Sequence, residues 1–405
     1  MRILVLTNRV PYPLNDGGNL AVNNMLEGLR AQGAAITLLS MNTSRHWVDQ
    51  SNFPALFTQL EQVATVAVDN HIKPLGALKS LLQGTSYNIA RFNNAAFAAR
   101  LKTLLTENTF DVVLLEGLFV CSYLPIIRQY SKAKIAYRQH NVEFQIWERM
   151  AVRAANPIKK WYLRQLARAL KRFEIAHLND YDLIAAISPV DVAHYKALGC
   201  TIPIISIPFS LPPQQITLQS LPRDLQSLPR EELNLYHIGA MDWQPNVEGL
   251  LWFLEHVWPR VLAARPEQKF YLAGRNMPDR FHTGKWPGVI VAGEVPDAAV
   301  FEQDKSILVV PLHSGGGIRV KILQSMAKGK AVITTSIGLQ GIEEAQNNQD
   351  VLVADTPEAF AQACISLLQD RKKVEDMGLQ AHKLIQNNYN QYVVTSRLLK
   401  SLKEL

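Results

Sequence analysis

Residues 306–343 read SILVVPLHSGGGIRVKILQSMAKGKAVITTSIGLQGIE. Ser306 to Val310 is an apolar run of the kind found in a strand buried on both faces. Three consecutive glycines follow, Gly315 to Gly317. Ile318, Ile322, Leu323 and Met326 then recur at helical spacing. Lys328-Gly329-Lys330 supplies charge and a glycine where a helix should end. Ala331 to Thr334 reads as the next strand. The stretch is therefore strand, glycine turn, helix, strand, with glycines at the helix start. Such a turn aims backbone N–H groups and the positive end of the helix dipole at one point. A phosphate is the natural guest, and Arg319 and Lys321 stand within the expected first turn. Glycines would also serve a plain tight turn. The flanking strands and the two cations favour the anion site.

The same alternation runs through the whole chain. Strands are expected at Arg2–Thr7, Ala35–Ser40, Val63–Val68, Asp111–Leu115, Lys134–Tyr137, Leu183–Ile187 and Ile202–Pro208. A second series follows at Asn234–Ile238, Lys269–Ala273 and Val289–Ala292, and continues at Ser306–Val310, Ala331–Thr334 and Val351–Val353. Helices lie between them, among them Leu20–Ala31 and Val247–Leu262. The stretch around 210–229 is rich in Leu, Pro, Gln and Ser without a period, as a linker is. Two series of alternating strands and helices imply an α/β protein of two Rossmann-like, doubly wound domains facing each other across an interdomain cleft. The expected boundaries are 1–208 for the first domain, 209–228 for the linker and 229–385 for the second. Residues 386–405 form a last helix, expected to pack back on the first domain.

Composition narrows the class. The chain has 405 residues, too many for one ordinary core. Apolar residues make up 48% and charged residues 19%, which excludes a disordered chain. The formal net charge of +7 suits anionic partners without choosing among them. Three widely spaced cysteines speak against a disulfide framework or a zinc cluster and fit a reducing compartment. The N-terminal run lacks the long apolar core of a signal peptide. The apolar run 112–127 is too short and too interrupted to span a bilayer. The expected location is the cytoplasm.

Several residues lie where chemistry is usual. In parallel α/β sheets, ligands bind beyond the carboxyl ends of the strands. Glu116 and His140 end two expected strands, and two ionisable groups so placed point to a site. Gly17-Gly18 precede the first helix. They read either as a second anion site or as a plain helix start capped by Asp16 or Asn19. From Glu148 to Glu174 the chain is helical and basic, with a break expected at Pro157. Its cations and aromatics allow contact with anionic lipid at the inner face of the membrane. The competing reading is a solvated face with its aromatics in the core. Asp180-Tyr181-Asp182 has metal-binding spacing but precedes its strand, the wrong end for a site, and is read as structural.

Four ordered motifs in the second half carry a resemblance. They are Gly239-Ala240-Met241-Asp242-Trp243-Gln244-Pro245-Asn246, Ala273-Gly274-Arg275-Asn276, Gly293-Glu294-Val295-Pro296-Asp297 and the run Pro311 to Ala327. With Gly17-Gly18 and His140-Asn141-Val142-Glu143, they make the chain resemble a family-4-type glycosyltransferase of the GT-B fold. The two first-domain motifs resemble those of related sugar transferases of bacterial surface polysaccharide biosynthesis. The family commonly carries Glu-x7-Glu across the glycine loop and helix; here Gly316 and Gln324 occupy those two positions. The family's Arg-Lys pair after the first strand of the second domain is also replaced, by Asp242 and Trp243.

The resemblance implies transfer of a sugar from a nucleoside-diphosphate donor to an acceptor hydroxyl, with retention, in polysaccharide or glycolipid assembly. It implies catalytic roles for His140, Glu116, Arg319 and Lys321. It implies donor contacts from Gly17, Gly18, Gly239, Arg275, Val295, Asp297, Gly315, Gly316, Gly317, Ile318 and Gln324. No metal or other cofactor is expected, since cations and backbone donors can hold the diphosphate. The implied partners are the nucleotide sugar and a sugar or lipid-linked acceptor, and no nucleic acid. Two alternatives stay open: a nucleotide-sugar-binding relative without catalysis, and a sugar-nucleotide epimerase of similar architecture.

Overall fold

The computed structural model describes residues 1–218, 233–315 and 317–405. It divides into two units. Unit 1 comprises Met1–Ser210 and Gln391–Leu405, and unit 2 comprises Leu211–Asn390.

Unit 1 is built on seven parallel strands: β1 (Arg2–Thr7), β2 (Ala35–Thr43), β3 (Gln62–Val68), β4 (Val112–Glu116), β5 (Lys134–Arg138), β6 (Leu183–Ala186) and β7 (Ile204–Ser206). Their spatial order is β3-β2-β1-β4-β5-β6-β7. The sheet is covered on both faces, which is why β1 and β4 read as unbroken apolar runs. Leu4, Leu6, Val113 and Leu115 point into one core, with Phe97 and Leu101 of the helix Ala95–Glu107. Ile3, Val5, Val112 and Leu114 point into the other, with Met25 and Leu26 of the helix Gly17–Ala31.

The last helix, Gln391–Lys403, adds Val394 and Leu398 to that second core. Its Gln391 amide donates to the Asn24 carbonyl at 2.7 Å. The approach is close enough that a Cβ on Gly28 would lie 2.6 Å from the Thr395 methyl. Tyr389 and Asn390 stay with unit 2, because both pair with Leu211 through backbone contacts. Of the residues expected as a linker, 209–210 fall in unit 1, 211–218 fall in unit 2 and the rest lie outside the described residues.

Unit 2 carries six parallel strands: β8 (Leu235–Ile238), β9 (Phe270–Ala273), β10 (Val289–Gly293), β11 (Ile307–Val310), β12 (Ala331–Thr334) and β13 (Leu352–Val353). The order is β10-β9-β8-β11-β12-β13. Both sheets thus reverse direction of winding next to their first strand, at β1/β4 and at β8/β11. Such switch points open a crevice at the strand carboxyl ends.

The expected helix Val247–Leu262 is longer and contains a π-turn. Helical segments Gln244–Trp252 and Trp258–Ala264 flank a wide turn at Phe253–Val257. Pro259 has no N–H to donate to the preceding turn, and a local i→i+5 turn accommodates the missing bond. The basic segment forms two helices, Glu143–Arg153 and Pro157–Ala176. Among the described residues no helix is long and apolar enough to cross a membrane.

Candidate active site

In unit 1 a cavity of about 290 Å³ opens at the switch point, lined by Thr7, Gly18, Glu116, Gly117, His140 and Glu143 among others. Strand register creates it. Glu116 ends β4 opposite Thr7 of β1 and Arg138 of β5. The Glu116 carboxylate is buried, and its Oε2 accepts from His140 Nε2 at 2.7 Å and Arg138 Nη1 at 3.0 Å. A carboxylate acceptor places a proton on Nε2 of His140. Arg138 is 1% exposed and also donates to the Ala21 carbonyl at 3.3 Å. Burial works to raise the Glu116 pKa, but the Arg138 charge and the His140 hydrogen bond outweigh it and hold the group below its usual value. Glu116 is thus an anion anchored by two cationic or donor side chains, with His140 the partly exposed member.

Glu143 stands on the cavity wall at the start of its helix. Burial, with the Glu174 charge, pushes it up to about 7. Glu174 is pushed up to about 7 by burial, while Tyr195 hydrogen-bonds its carboxylate. Arg9, Arg45, His46 and Arg91 also line the cavity. Burial, then Arg45, depresses the Arg91 pKa, and burial, then Arg9, depresses that of His46.

Gly17 and Gly18 are not loop residues: the helix begins at Gly17, three residues before the expected start. Asp16 is the cap, its Oδ1 accepting from Gly18 N at 2.9 Å and Asn19 N at 3.0 Å. Arg9 holds the same oxygen at 2.7 Å. The anion at this helix start is therefore the protein's own carboxylate, and the plain-cap reading describes the local geometry. Gly18 still borders the cavity, where a Cβ would come within 2.9 Å of the Arg9 guanidinium.

In unit 2 the ends of β8, β9 and β11 converge. The helix after the glycine loop runs Val320–Ala327, with Arg319 at the N-cap position, so Ile318 and the glycines precede it. Gly315 has φ +113°, and a Cβ there would meet the Trp243 ring at 2.7 Å and Arg319 Nη2 at 3.0 Å. Only glycine fits both the backbone and the space. The Arg319 guanidinium lies 5.0 Å from the Trp243 ring centroid and is almost fully buried.

Lys321, expected to reach a phosphate, reaches back to β8. Its Nζ donates to Asn246 Oδ1 at 3.0 Å and lies 3.3 Å from His237 Nε2. His237 donates through Nδ1 to the Val309 carbonyl at 2.7 Å, so its Nε2 is free to accept. Burial and the nearby Arg319 bring the Lys321 pKa down to about 7. Gly239 makes room for this cluster, since a Cβ would lie 2.5 Å from Lys321 Nζ. Gly274 is needed just as closely: a Cβ would collide with the Gly239 carbonyl oxygen.

Arg275 pairs with Asp242 at 3.1 Å on the surface. Asp297 caps the helix Ala298–Glu302 through Ala299 N at 2.7 Å, and Val295 lies in the turn between β10 and that helix. Gln324 is partly buried on the helix that begins after Arg319. Gly317 has φ +78°. Gly316 lies outside the described residues. In the basic segment Leu163, Leu166 and Leu170 are buried, whereas Trp161, an aromatic that the core reading placed inside, is exposed together with Ile158.

Sequence reading left Arg138, Arg91, His237 and Asn246 without roles. Arg138 could have been suspected as the only charged residue ending a buried strand of the first series beside Glu116. His237, within the buried run of β8, carried a similar signal.

Residues 232–370 match the sequence model of the family described as "Glycosyl transferases group 1". An uncharacterized 44.6 kDa protein in the cps region of Klebsiella pneumoniae is 22% identical over 410 residues, covering 98% of this chain and 99% of that protein. Among solved structures, sucrose-phosphate synthase from Thermosynechococcus elongatus superposes with a TM-score of 0.70 at 16% identity, covering 100% of this chain and 99% of that one. HepE of Anabaena, solved in complex with UDP, superposes with a TM-score of 0.66 at 12% identity, covering 100% of both chains. The converging glycines and cations of unit 2 thus lie in a segment that resembles the group 1 glycosyltransferases, within a chain that has the two-unit fold of the GT-B glycosyltransferases.

Proposed function

We propose that the protein is a glycosyltransferase that moves a sugar from a nucleoside-diphosphate donor to an acceptor hydroxyl, with retention, in polysaccharide or glycolipid assembly. One observation carries this reading. Gly239, Trp243, Gly315, Arg319 and Lys321 come together at the carboxyl ends of β8 and β11, inside the matched segment 232–370. The Klebsiella relative from a cps region supports the polysaccharide context. The Anabaena neighbour, which binds UDP, makes uridine diphosphate sugars the first donors to try.

The hard step is departure of the nucleoside diphosphate, whose negative charge grows as the glycosidic bond breaks. Arg319 and Lys321 supply the compensating charge at a helix N-terminus, where the dipole adds to it. Trp243 holds the guanidinium in place before the donor arrives. Lys321 rests on neutral partners, His237 and Asn246, and takes up full charge when the diphosphate approaches. These cations take the place of a metal. The ribose is assigned to Gln324 and the base to the Val295–Asp297 turn.

The acceptor is assigned to the cavity of unit 1. There His140, fixed by Glu116, positions the acceptor hydroxyl, and the donor's own phosphate oxygen takes its proton. Glu116 stabilises positive charge on His140 and at the sugar.

The test begins with a thermal-shift screen across nucleotide sugars, since a ligand of the folded form raises Tm with concentration. Transfer is then measured for Arg319→Ala and Lys321→Ala. Loss of turnover by two or more orders of magnitude is expected in each. Near-normal turnover in both variants overturns the diphosphate assignment.

A further inference from the structure

The helix Pro74–Leu82 is built inside out. Leu75 is 83% exposed, Leu78 52% and Leu82 80%, while Ser80 is buried. At roughly 100° per residue these three leucines share one stripe, and the helix turns it to solvent. Gly76 and Ala77 face inward: a Cβ on Gly76 would lie 3.0 Å from the Tyr87 ring, and Ala77 packs on the small core of Tyr87, Ala151, Leu163 and Leu166. Leu163 and Leu166 belong to the helix Pro157–Ala176, so the two helices share one base. That second helix exposes Ile158 (77%) and Trp161 (53%). Lys79, Lys159 and Arg164 are exposed on the same two segments, while the exposed Lys73 is paired with Asp69 at 2.9 Å. Leucines three and four residues apart are expected under cover in a water-facing protein.

We propose that this face of unit 1 docks on a lipid bilayer carrying anionic headgroups. Leu75, Leu78, Leu82, Ile158 and Trp161 enter the boundary between headgroups and acyl chains. The lysines and Arg164 meet the negative charge. A bilayer is favoured as the occupant because exposed leucines and tryptophan are interleaved with cations, whereas a protein interface is depleted in lysine at its core.

The face also leads to the site. A second cavity, of about 480 Å³, is lined by Lys79, Tyr87, Arg91 and the paired Lys73 and Asp69, and Arg91 lines the Glu116–His140 cavity as well. A phosphate-bearing lipid anchor lying in the bilayer surface can therefore follow cations to the cavity assigned to the acceptor. This last step rests on that assignment; the docking itself does not.

The experiment is co-flotation of the full chain with vesicles of phosphatidylethanolamine and phosphatidylglycerol, against vesicles of phosphatidylcholine alone, with no sugar donor present. The wild type is expected to float with the anionic vesicles and at least tenfold less with the neutral ones. Leu75→Ser/Leu82→Ser and Ile158→Ser/Trp161→Ala should each lose at least tenfold in binding with unchanged Tm. Val300→Ser, at an exposed position of unit 2, should bind as the wild type. The proposal is overturned if the wild type does not float, or if both double variants bind as it does. It is equally overturned if the wild type sediments as a dimer that Leu75→Ser/Leu82→Ser converts to a monomer, since a second copy then covers the stripe. Transfer activity is not read, so a failure here and a failure of the transferase reading are told apart.

Discussion

Glu116 and Arg138 face each other across adjacent strands with both side chains 1% exposed, their N–O separation 3.0 Å. Neither could be buried alone. A buried ion pair is weak evidence of net stability, but breaking one strands a charge. Glu116→Gln should therefore destabilise unit 1 by about 3–5 kcal/mol, with urea titration as the measurement. The sign with pH follows. The folded pKa of Glu116 lies below its unfolded value, so its contribution is present above about pH 4.5 and is lost as pH falls through the folded pKa. The acid limb of the stability curve should be shallower in the variant than in the wild type.

Lys321 titrates near neutrality because burial and Arg319 disfavour its charge. Between about pH 7 and pH 10.5 the unfolded chain holds a proton that the folded chain lacks, so this group makes stability rise with pH. A diphosphate at the site favours the charged form. Donor binding at pH 8 should take up a proton, measured by titration calorimetry in buffers of different ionisation enthalpy. Affinity should fall as pH rises above 7, and Lys321→Met should remove both effects.

Trp243 holds Arg319 through its ring face. A desolvated cation–π contact contributes about 2 kcal/mol, which converts to roughly thirtyfold in affinity. Trp243→Leu should weaken nucleotide binding by up to that factor and leave Tm within a few degrees. Equilibrium dialysis with UDP and a thermal melt together check it.

Gly274 separates β9 from the turn after β8, and a side chain there meets a backbone oxygen that cannot swing away. Gly274→Ala should cost about 1–3 kcal/mol or more by overpacking. Gly33→Ala offers a contrast: nothing lies near its Cβ direction, but its φ is +83°. Its cost should be confined to backbone strain of about 1–2 kcal/mol. Chemical denaturation of the two variants separates steric from conformational cost.

The alternation of strands and helices was legible because the central strands, such as β4 and β11, are covered on both faces and are apolar along nearly their whole length. Glu116 and His140 were legible as candidates because they follow such runs. The helix start at Gly17 was misplaced because glycine is a poor helix former, and the Asp16 cap overrides that preference by satisfying two amides at once. The π-turn at Phe253–Val257 was missed because the pattern of buried residues continues through it.

By itself, then, the sequence determined the α/β class, the two series of strands, the glycine turns and the residues at the strand ends. Each depends on local patterns of burial and backbone freedom. Only the tertiary structure decided which of those residues meet. Glu116 and Arg138 are 22 residues apart in sequence, and Lys321 and His237 are 84 apart. Their contact follows from strand order, β4 beside β5 and β8 beside β11, which crossover connections set and no local pattern encodes. The outward leucine stripe of 74–82 was decided in the same way. Its spacing is that of any buried helix, and the packing of Gly76 and Ala77 against Tyr87 and its neighbours turned it outward.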